Sequence, residues 1–501
     1  RSQRLGSYRF IRRDQLMRII GNNPAADNAE ITAVASGTLP SGKTVIVNAD
    51  GTVSVVAETA VSQSVGTSGT FHADNTQTVS STYDANSNKV VVAFSDPGDG
   101  DKGKAIVGTI SGTNISFGSE VVFDSGVIGG KTATYDAASQ KVVISYTDAS
   151  NSQYGTSIVG TVSGTSISFG SKTVFQSSTT VQIASTFDSA SNKVVICYTN
   201  QGNSYYGTAI VGTVSGTSIS FGTAAVWNSN RSDFSSIAFD VSANKVVISY
   251  ASATGVPDNF GKAIVGTISG TGISFGSSVV FESAQTEKTS IVYDANAEKV
   301  VIAYRDGGNS DYGTAIVGTV SGTSISFGTA VVFQSISSEG YSATFDVSTG
   351  NVIIAYREGS SGLGYVIAGT VSGTAISFAT RLLYQNNGVD NISIAYNSTE
   401  EKSVISYRSY TNNYGTSIVY TGAGAVTNLT TENFIGFANG AAADGGAARV
   451  QIGSGINTAQ SSLTAGQQYF VQTDGTIGLT AADPSVIAGT AISATEIIVK
   501  G

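Results

Sequence analysis

Hydrophobic positions along the chain fall in short runs. In one stretch they read "VQIASTF" (181–187), "KVVICYT" (193–199), "TAIVGTVS" (208–215) and "SISFG" (218–222). Polar, turn-forming words separate them: "DSASN", "NQGNSYYG" and "SGTS". Val, Ile, Thr, Tyr and Phe in runs this short predict β-strands, and the Asp, Asn and Gly between them suit tight turns. The run "KVVI" is apolar at consecutive positions, which predicts a strand buried on both faces, as in a sheet stacked between two others.

The stretch repeats. "AIVGTVSGTSISFG" (209–222) recurs nearly unchanged at 105–118, 157–170, 263–276 and 315–328, and more loosely at 366–378. Aligned on Asp84, Asp136, Asp188, Asp240, Asp294, Asp346 and Asn397, the copies step by 52, 52, 52, 54, 52 and 51 residues. A period near 50 indicates a propeller or a solenoid. Four strands per period are too many for a β-helix rung, and double-sided burial disfavours a sandwich. The first two strands of the unit (A and B) occur seven times, but the last (D) occurs six times, because the seventh copy leaves the pattern at "GAGAVTNL". Its missing strand matches "SVGTSGTF" (64–71), where Gly66 and Phe71 are spaced like Gly118 and Phe123. The expected fold is all-β: a seven-bladed β-propeller over 59–421, its last blade closed by the N-terminal strand. Such closure leaves no raw sheet edge.

The flanks resemble each other. "LPSGKTVIVNADGTVSV" (39–55) and "LTAGQQYFVQTDGTIGL" (463–479) align without a gap, each with an Asp-Gly turn that signals a hairpin. A hairpin module at 29–58 and a C-terminal β module at 422–501 are expected, as one small β region or two like modules.

Composition adds an asymmetry. Residues 1–20 hold six arginines against Asp14, a net of +5, so the rest of this chain of formal charge −9 stands at −14. An acidic body argues against nucleic acid as the main partner. Residues 1–28, with Arg4, Arg9, Arg12, Arg13 and Arg18, form a basic arm. It is a candidate anchor to an acidic partner surface, or else a solvated tail. The arm lacks the apolar core of a signal peptide, and no run of 18 apolar residues offers a membrane span. The single cysteine excludes an intrachain disulfide.

The repeat also judges the rare residues. Trp227 takes the place of Phe123, Phe175, Phe281 and Phe333, so it is a packing residue. Cys197 takes a small strand position. His72, the one histidine, follows Phe71 where other copies have polar residues; a polar surface position is expected, and no catalytic role. Cys–His dyads, His/Cys metal clusters, phosphate loops and nucleophile elbows are missing. "SDPGDGDKG" (95–103) and "RDGGNSDYG" (305–313) hint at Ca²⁺ ligands but lack the terminal Glu of a calcium loop, so solvated turns are preferred. No cofactor or metal is expected.

Two connections vary between copies, B–C and D–A, and an up-down blade places both on one face. Binding is usually placed on such loops. Arg305, Arg357 and Arg408 occupy one position in three consecutive copies and could together bind an anionic sugar or phosphate; the alternative is local pairing with Asp306 and Glu358. Tyr205, Phe234, Tyr341 and Tyr410 are copy-specific aromatics of these loops, able to stack on sugars or to pack the loops.

"YGTAIVGTVSGTSISFGT" arrays with "NKVVIAY"-type strands, preceded by "VASGTLPSGKTVIVNADGTVSVV" and followed by "LTAGQQYFVQTDGTIGL", resemble tail-fibre-like, virion-surface structural proteins of marine tailed phages. The resemblance runs from about residue 30 to the C-terminal end. It implies a virion component, with the basic arm as its joint to the particle and the variable face binding a host-surface glycan or protein. Other virion subunits are the implied partners, and self-association is allowed. Neither nucleic acid nor membrane insertion is expected. A passive decoration protein, a bacterial adhesin and a glycan-processing enzyme are the alternatives. The last would want a buried acidic pair, whereas Asp96, Asp148, Asp306 and Glu358 are expected to be exposed.

Overall fold

The computed structural model describes residues 29–253 and 259–500. They form two compact units: 62–423, and the two flanks together, up to Val61 and from Gly424. Both units are all-β. Among the described residues there is no α-helix, only single-turn 3-10 segments such as Pro97–Asp99.

In the larger unit one antiparallel pairing pattern follows the repeat. In the first copy Gln77–Asp84 pairs with Lys89–Asp96, and that strand pairs with Lys102–Ser111. The far side of Lys102–Ser111 takes Asn114–Phe117 and then the start of Val121–Asp136. The rest of Val121–Asp136 pairs with Lys141–Asp148 and so opens the sheet of the second repeat. Thr173–Asp188, Ala225–Asp240, Val279–Asp294, Val331–Asp346 and Leu382–Asn397 make the same hand-over. The D–A stretches expected as loops are therefore continuous strands. A bulge lets one strand serve two sheets: Gln182, Phe234, Lys288, Gly340 and Asn391, with φ between 51° and 68°, bend the strand where its register shifts.

The seventh repeat ends in Gly415–Thr421, which pairs with Ser64–Val65 and Gly69–His72 from the other end of the unit. Gly66 behaves like its counterparts. A Cβ there would sit 1.7 Å from the Thr113 carbonyl oxygen, and one on Gly118 would sit 1.9 Å from that of Thr165. Only glycine lets the outer strand meet the turn of the next repeat this closely. The sixth copy has Ala379 at this place, and the seventh copy carries no such turn. The inner strands are stitched by serines. Ala133, Ile291, Ala343 and Ile394 donate their amides to Ser80, Ser236, Ser290 and Ser342 of the preceding repeat. Ser81 of the first repeat donates to Ser393 of the seventh at 2.8 Å.

The second strand of each repeat is buried on both faces, as its unbroken apolar run requires: Val194 through Tyr198 are all fully inaccessible. Cys197 lies among them, and burial pushes its thiol up to about 12. Trp227 packs edge-on against Tyr250 at 4.6 Å.

The smaller unit holds two five-stranded sheets. The first runs in the order Glu30–Val34, Ala447–Gln451, Phe434–Ala438, Thr44–Val47, Val53–Val55. The second runs Ile456–Asn457, Ile497–Val499, Val486–Ala491, Gln468–Val471, Ile477–Gly478. The two orders match strand for strand. Their hydrogen bonds match too: Gly42 donates to Ala438 and Ala438 to Lys43, while Gly466 donates to Ala491 and Ala491 to Gln467. In both hairpins an aspartate, Asp50 or Asp474, accepts from the amide and hydroxyl of Thr52 or Thr476. The flanks are thus two copies of one module. The first copy is split: its chain leaves after Val55 and returns at Phe434, and residues 62–423 lie between. A ladder of Glu58–Val61 with Gly424–Thr427 pairs the outgoing and returning chain.

Candidate functional site

The two variable stretches of each repeat are bonded together. Thr180 donates to the Gln153 carbonyl, Ser232 to that of Tyr205, Ser338 to that of Asp311 and Val389 to that of Gly362, at 3.0–3.3 Å. B–C turns and D–A bulges therefore share one side of the larger unit, and the copy-specific residues gather there.

Arg305, Arg357 and Arg408 each stand one residue before the end of a second strand, and each faces an acid across the strand pair: Glu287, Glu339 and Asp390 in register. Arg305 bonds Glu287 at 2.6 Å and Asp311 at 2.7 Å. Arg357 bonds Glu339, and Arg408 bonds Asp390 at 3.1 Å. Burial alone would lower the Arg305 and Arg357 pKa values, but these acids raise them instead. Pairing with Asp306 and Glu358 does not occur. Neighbours along a strand point to opposite faces, so Asp306 and Glu358 turn away from Arg305 and Arg357. The sequence signal for the real partners was present: the same three repeats carry an acid opposite the arginine.

Tyr410 is exposed (43%). The guanidinium carbons of Arg357 and Arg408 lie 5.6 and 5.3 Å from its ring centre, and Arg357 also donates to its hydroxyl. Gly388 makes room for the ring, since a Cβ there would lie 2.3 Å from it. Two further pairs stand in the third to fifth repeats. Arg231 lies over Tyr205, itself 40% exposed, and bonds Asp233 at 2.7 Å; Lys288 lies over Phe234. Arg231 and Lys288 were missed in the sequence because neither repeats. Tyr341 differs from the other aromatics. It is buried against Phe333 and its hydroxyl is taken by Ser338. The arginines of the basic arm (Arg4, Arg9, Arg12, Arg13, Arg18) lie outside the described residues.

A second polar layer runs between adjacent sheets, and it corrects the exposure expected for the acids. Asp96, Asp148, Asp306 and Glu358 are all buried, at 3%, 1%, 7% and 7% exposure. They end the doubly buried second strands and point into the seams. Lys172 reaches Asp124 at 2.8 Å and Asp148 at 3.1 Å, and Asp124 also accepts from Tyr146. Arg381 holds Glu358 at 2.9 Å. Another seam holds two acids without such a cation: Glu282 and Asp306 lie together, and Ala330 stands where Lys172 and Arg381 stand in their repeats. Burial and Glu282 raise the pKa of Asp306.

His72 is likewise corrected. It is buried (6%), 2.6 Å from Glu120 and 3.3 Å from Asp96, and Lys104 shares both acids. The seam between the strand Gly69–His72 and the first repeat puts it there. Asp99, within the stretch 95–103 that hinted at Ca²⁺ ligands, pairs with Lys102. Among the described residues no group of three or more His, Cys, Asp or Glu is placed to hold a metal ion.

No protein-family model matches the chain, and no curated protein matches it in sequence. Solved structures do. The chain is similar to the BP39L lectin of Burkholderia pseudomallei, with a TM-score of 0.51, 9% identity, and coverage of 72% of this chain and all of that one. It is more weakly similar to AofleA of Arthrobotrys oligospora (TM-score 0.40, 13% identity, 69% of this chain and 96% of that one). A protein of unknown function from Dyadobacter fermentans stands at TM-score 0.43 and 10% identity, covering 73% and 99%. At these identities the first likeness speaks for an all-β fold and for nothing finer.

Proposed function

We propose that this chain is a surface carbohydrate-binding protein and not an enzyme. In this reading residues 62–423 form a seven-bladed β-propeller that binds glycans through its variable face. The serine stitches between inner strands, including Ser81 to Ser393, support the ring. The observation that carries the function is Tyr410: an exposed ring held beside two arginines, each with its acid next to it. Rings, guanidinium donors and carboxylate acceptors together suit a sugar, which offers C–H faces and paired hydroxyls. The fold neighbour named as a lectin agrees with this reading. Display on a phage virion, with the basic arm as anchor and the host surface as target, rests on the text resemblance alone.

The test is binding of the whole purified chain to immobilised cell-surface glycans and to intact candidate host cells. Saturable binding lost in Tyr410→Ser and in Arg305→Ser/Arg357→Ser/Arg408→Ser supports the site. Binding unchanged in both, with folding intact, moves it elsewhere. A folded chain that binds no glycan or cell favours a passive decoration protein.

A further inference from the structure

Resting on that reading, we infer that the ligand is a neutral, hydroxyl-rich sugar rather than an anionic one. The sequence alone points the other way, since three arginines at one repeat position invite a phosphate, sulfate or acidic sugar. The structure shows each of them already matched.

Glu287 and Asp311 hold Arg305, Glu339 holds Arg357 and Asp390 holds Arg408. Three cations thus face four anions. With Arg231, Asp233 and Lys288, in the third to fifth repeats, these groups number five of each sign. An arriving anion would meet carboxylates within hydrogen-bond reach of every guanidinium, so attraction and repulsion cancel. It could displace the resident acid only by leaving that acid unpaired and partly buried, which is costly.

A neutral vicinal diol suits the same groups without displacing any. One hydroxyl accepts from a guanidinium N–H while its neighbour donates to the adjacent carboxylate, and both bonds are charge-assisted. The Arg357–Glu339 and Arg408–Asp390 pairs present this donor beside acceptor twice, both next to the exposed Tyr410 ring. The ring supplies a surface for sugar C–H groups. Recognition built this way depends little on ionic strength, because no net charge is neutralised.

The experiment uses the full chain and two panels of immobilised polysaccharide. The neutral panel holds dextran, galactomannan and a β-galactan; the anionic panel holds alginate, chondroitin sulfate and polysialic acid. The inference predicts binding to a member of the neutral panel that survives about 0.5 M NaCl and weakens by roughly tenfold or more in Tyr410→Ala. A second variant, Glu339→Gln with Asp390→Asn, unmasks the arginines and is predicted to gain salt-sensitive binding to the anionic panel. Binding by the native chain to the anionic panel alone, abolished by salt, overturns the neutral assignment and leaves the glycan-binding reading standing. Failure to bind either panel, with the fold intact by circular dichroism, overturns both.

Discussion

Arg408 lies directly opposite Asp390 on paired antiparallel strands, and their charged groups meet at 3.1 Å. Arg357 and Glu339, and Arg305 and Glu287, repeat the relationship in the two preceding repeats. What reads in the sequence as a cationic cluster is a row of in-register ion pairs. A double-mutant cycle of Arg408→Ala and Asp390→Ala in urea should give a coupling energy of about 0.5–1 kcal/mol, the range for a partly exposed cross-strand pair. Strictly additive single mutants would show that the two groups are independent.

The seams between repeats allow a designed gain and a matched loss. Lys172→Ala leaves Asp124 and Asp148 without a cation and should cost about 1–2 kcal/mol, less than a fully buried pair because the lysine is partly exposed. Ala330→Lys supplies the missing cation beside Glu282 and Asp306 and should raise Tm at pH 7. The pH dependence has a definite sign. Burial and Glu282 raise the folded pKa of Asp306, so the native state holds the proton longer than the unfolded chain. This group's contribution to stability therefore falls as pH rises from the ordinary aspartate range through the raised value. Ala330→Lys should flatten that fall, and Tm measured from pH 4 to 7 in both proteins checks it.

Pairing with Gly415–Thr421 makes the strand Gly69–His72 as necessary as any later outer strand. Phe71 is buried against Phe94 and Phe117, and Phe333 holds the matching place in the fifth repeat. Phe71→Ala and Phe333→Ala should destabilise alike, by about 3–4 kcal/mol in chemical denaturation. A Phe71→Ala protein with native stability would contradict closure by this strand.

The flanking modules should survive without the larger unit. Glu58 pairs with Thr427, so a short Gly-Ser link between residues 58 and 427 spans a single strand pair. A chain of 29–58 so joined to 427–500 should melt cooperatively with β-type circular dichroism. A disordered product would show that the split first module needs residues 62–423 to assemble.

Much of this was legible in the sequence, and the parts that were not share a cause. The period, the strand order in each copy and the partner of Gly415–Thr421 followed from comparing copies. Gly66 and Phe71 gave the last of these by spacing alone. Comparison of copies fails where the structure joins neighbours. The D–A stretches looked like loops because their sequences vary, yet they are bulged strands whose hydrogen bonds are made by backbone. His72 and Asp148 looked exposed because polar residues at strand ends usually are. A seam between sheets buries them and supplies ionic partners 24 and 48 residues away, Lys172 for Asp148 and Glu120 for His72.

The most direct test of the central claim, that the variable face is the binding surface, is hydrogen exchange of the full chain with and without a bound glycan. The account predicts new protection in 385–390 and 408–415, around Tyr410, with the turns 84–89, 136–141 and 188–193 unchanged. Protection confined to those invariant turns, or to the flanking modules, would contradict it.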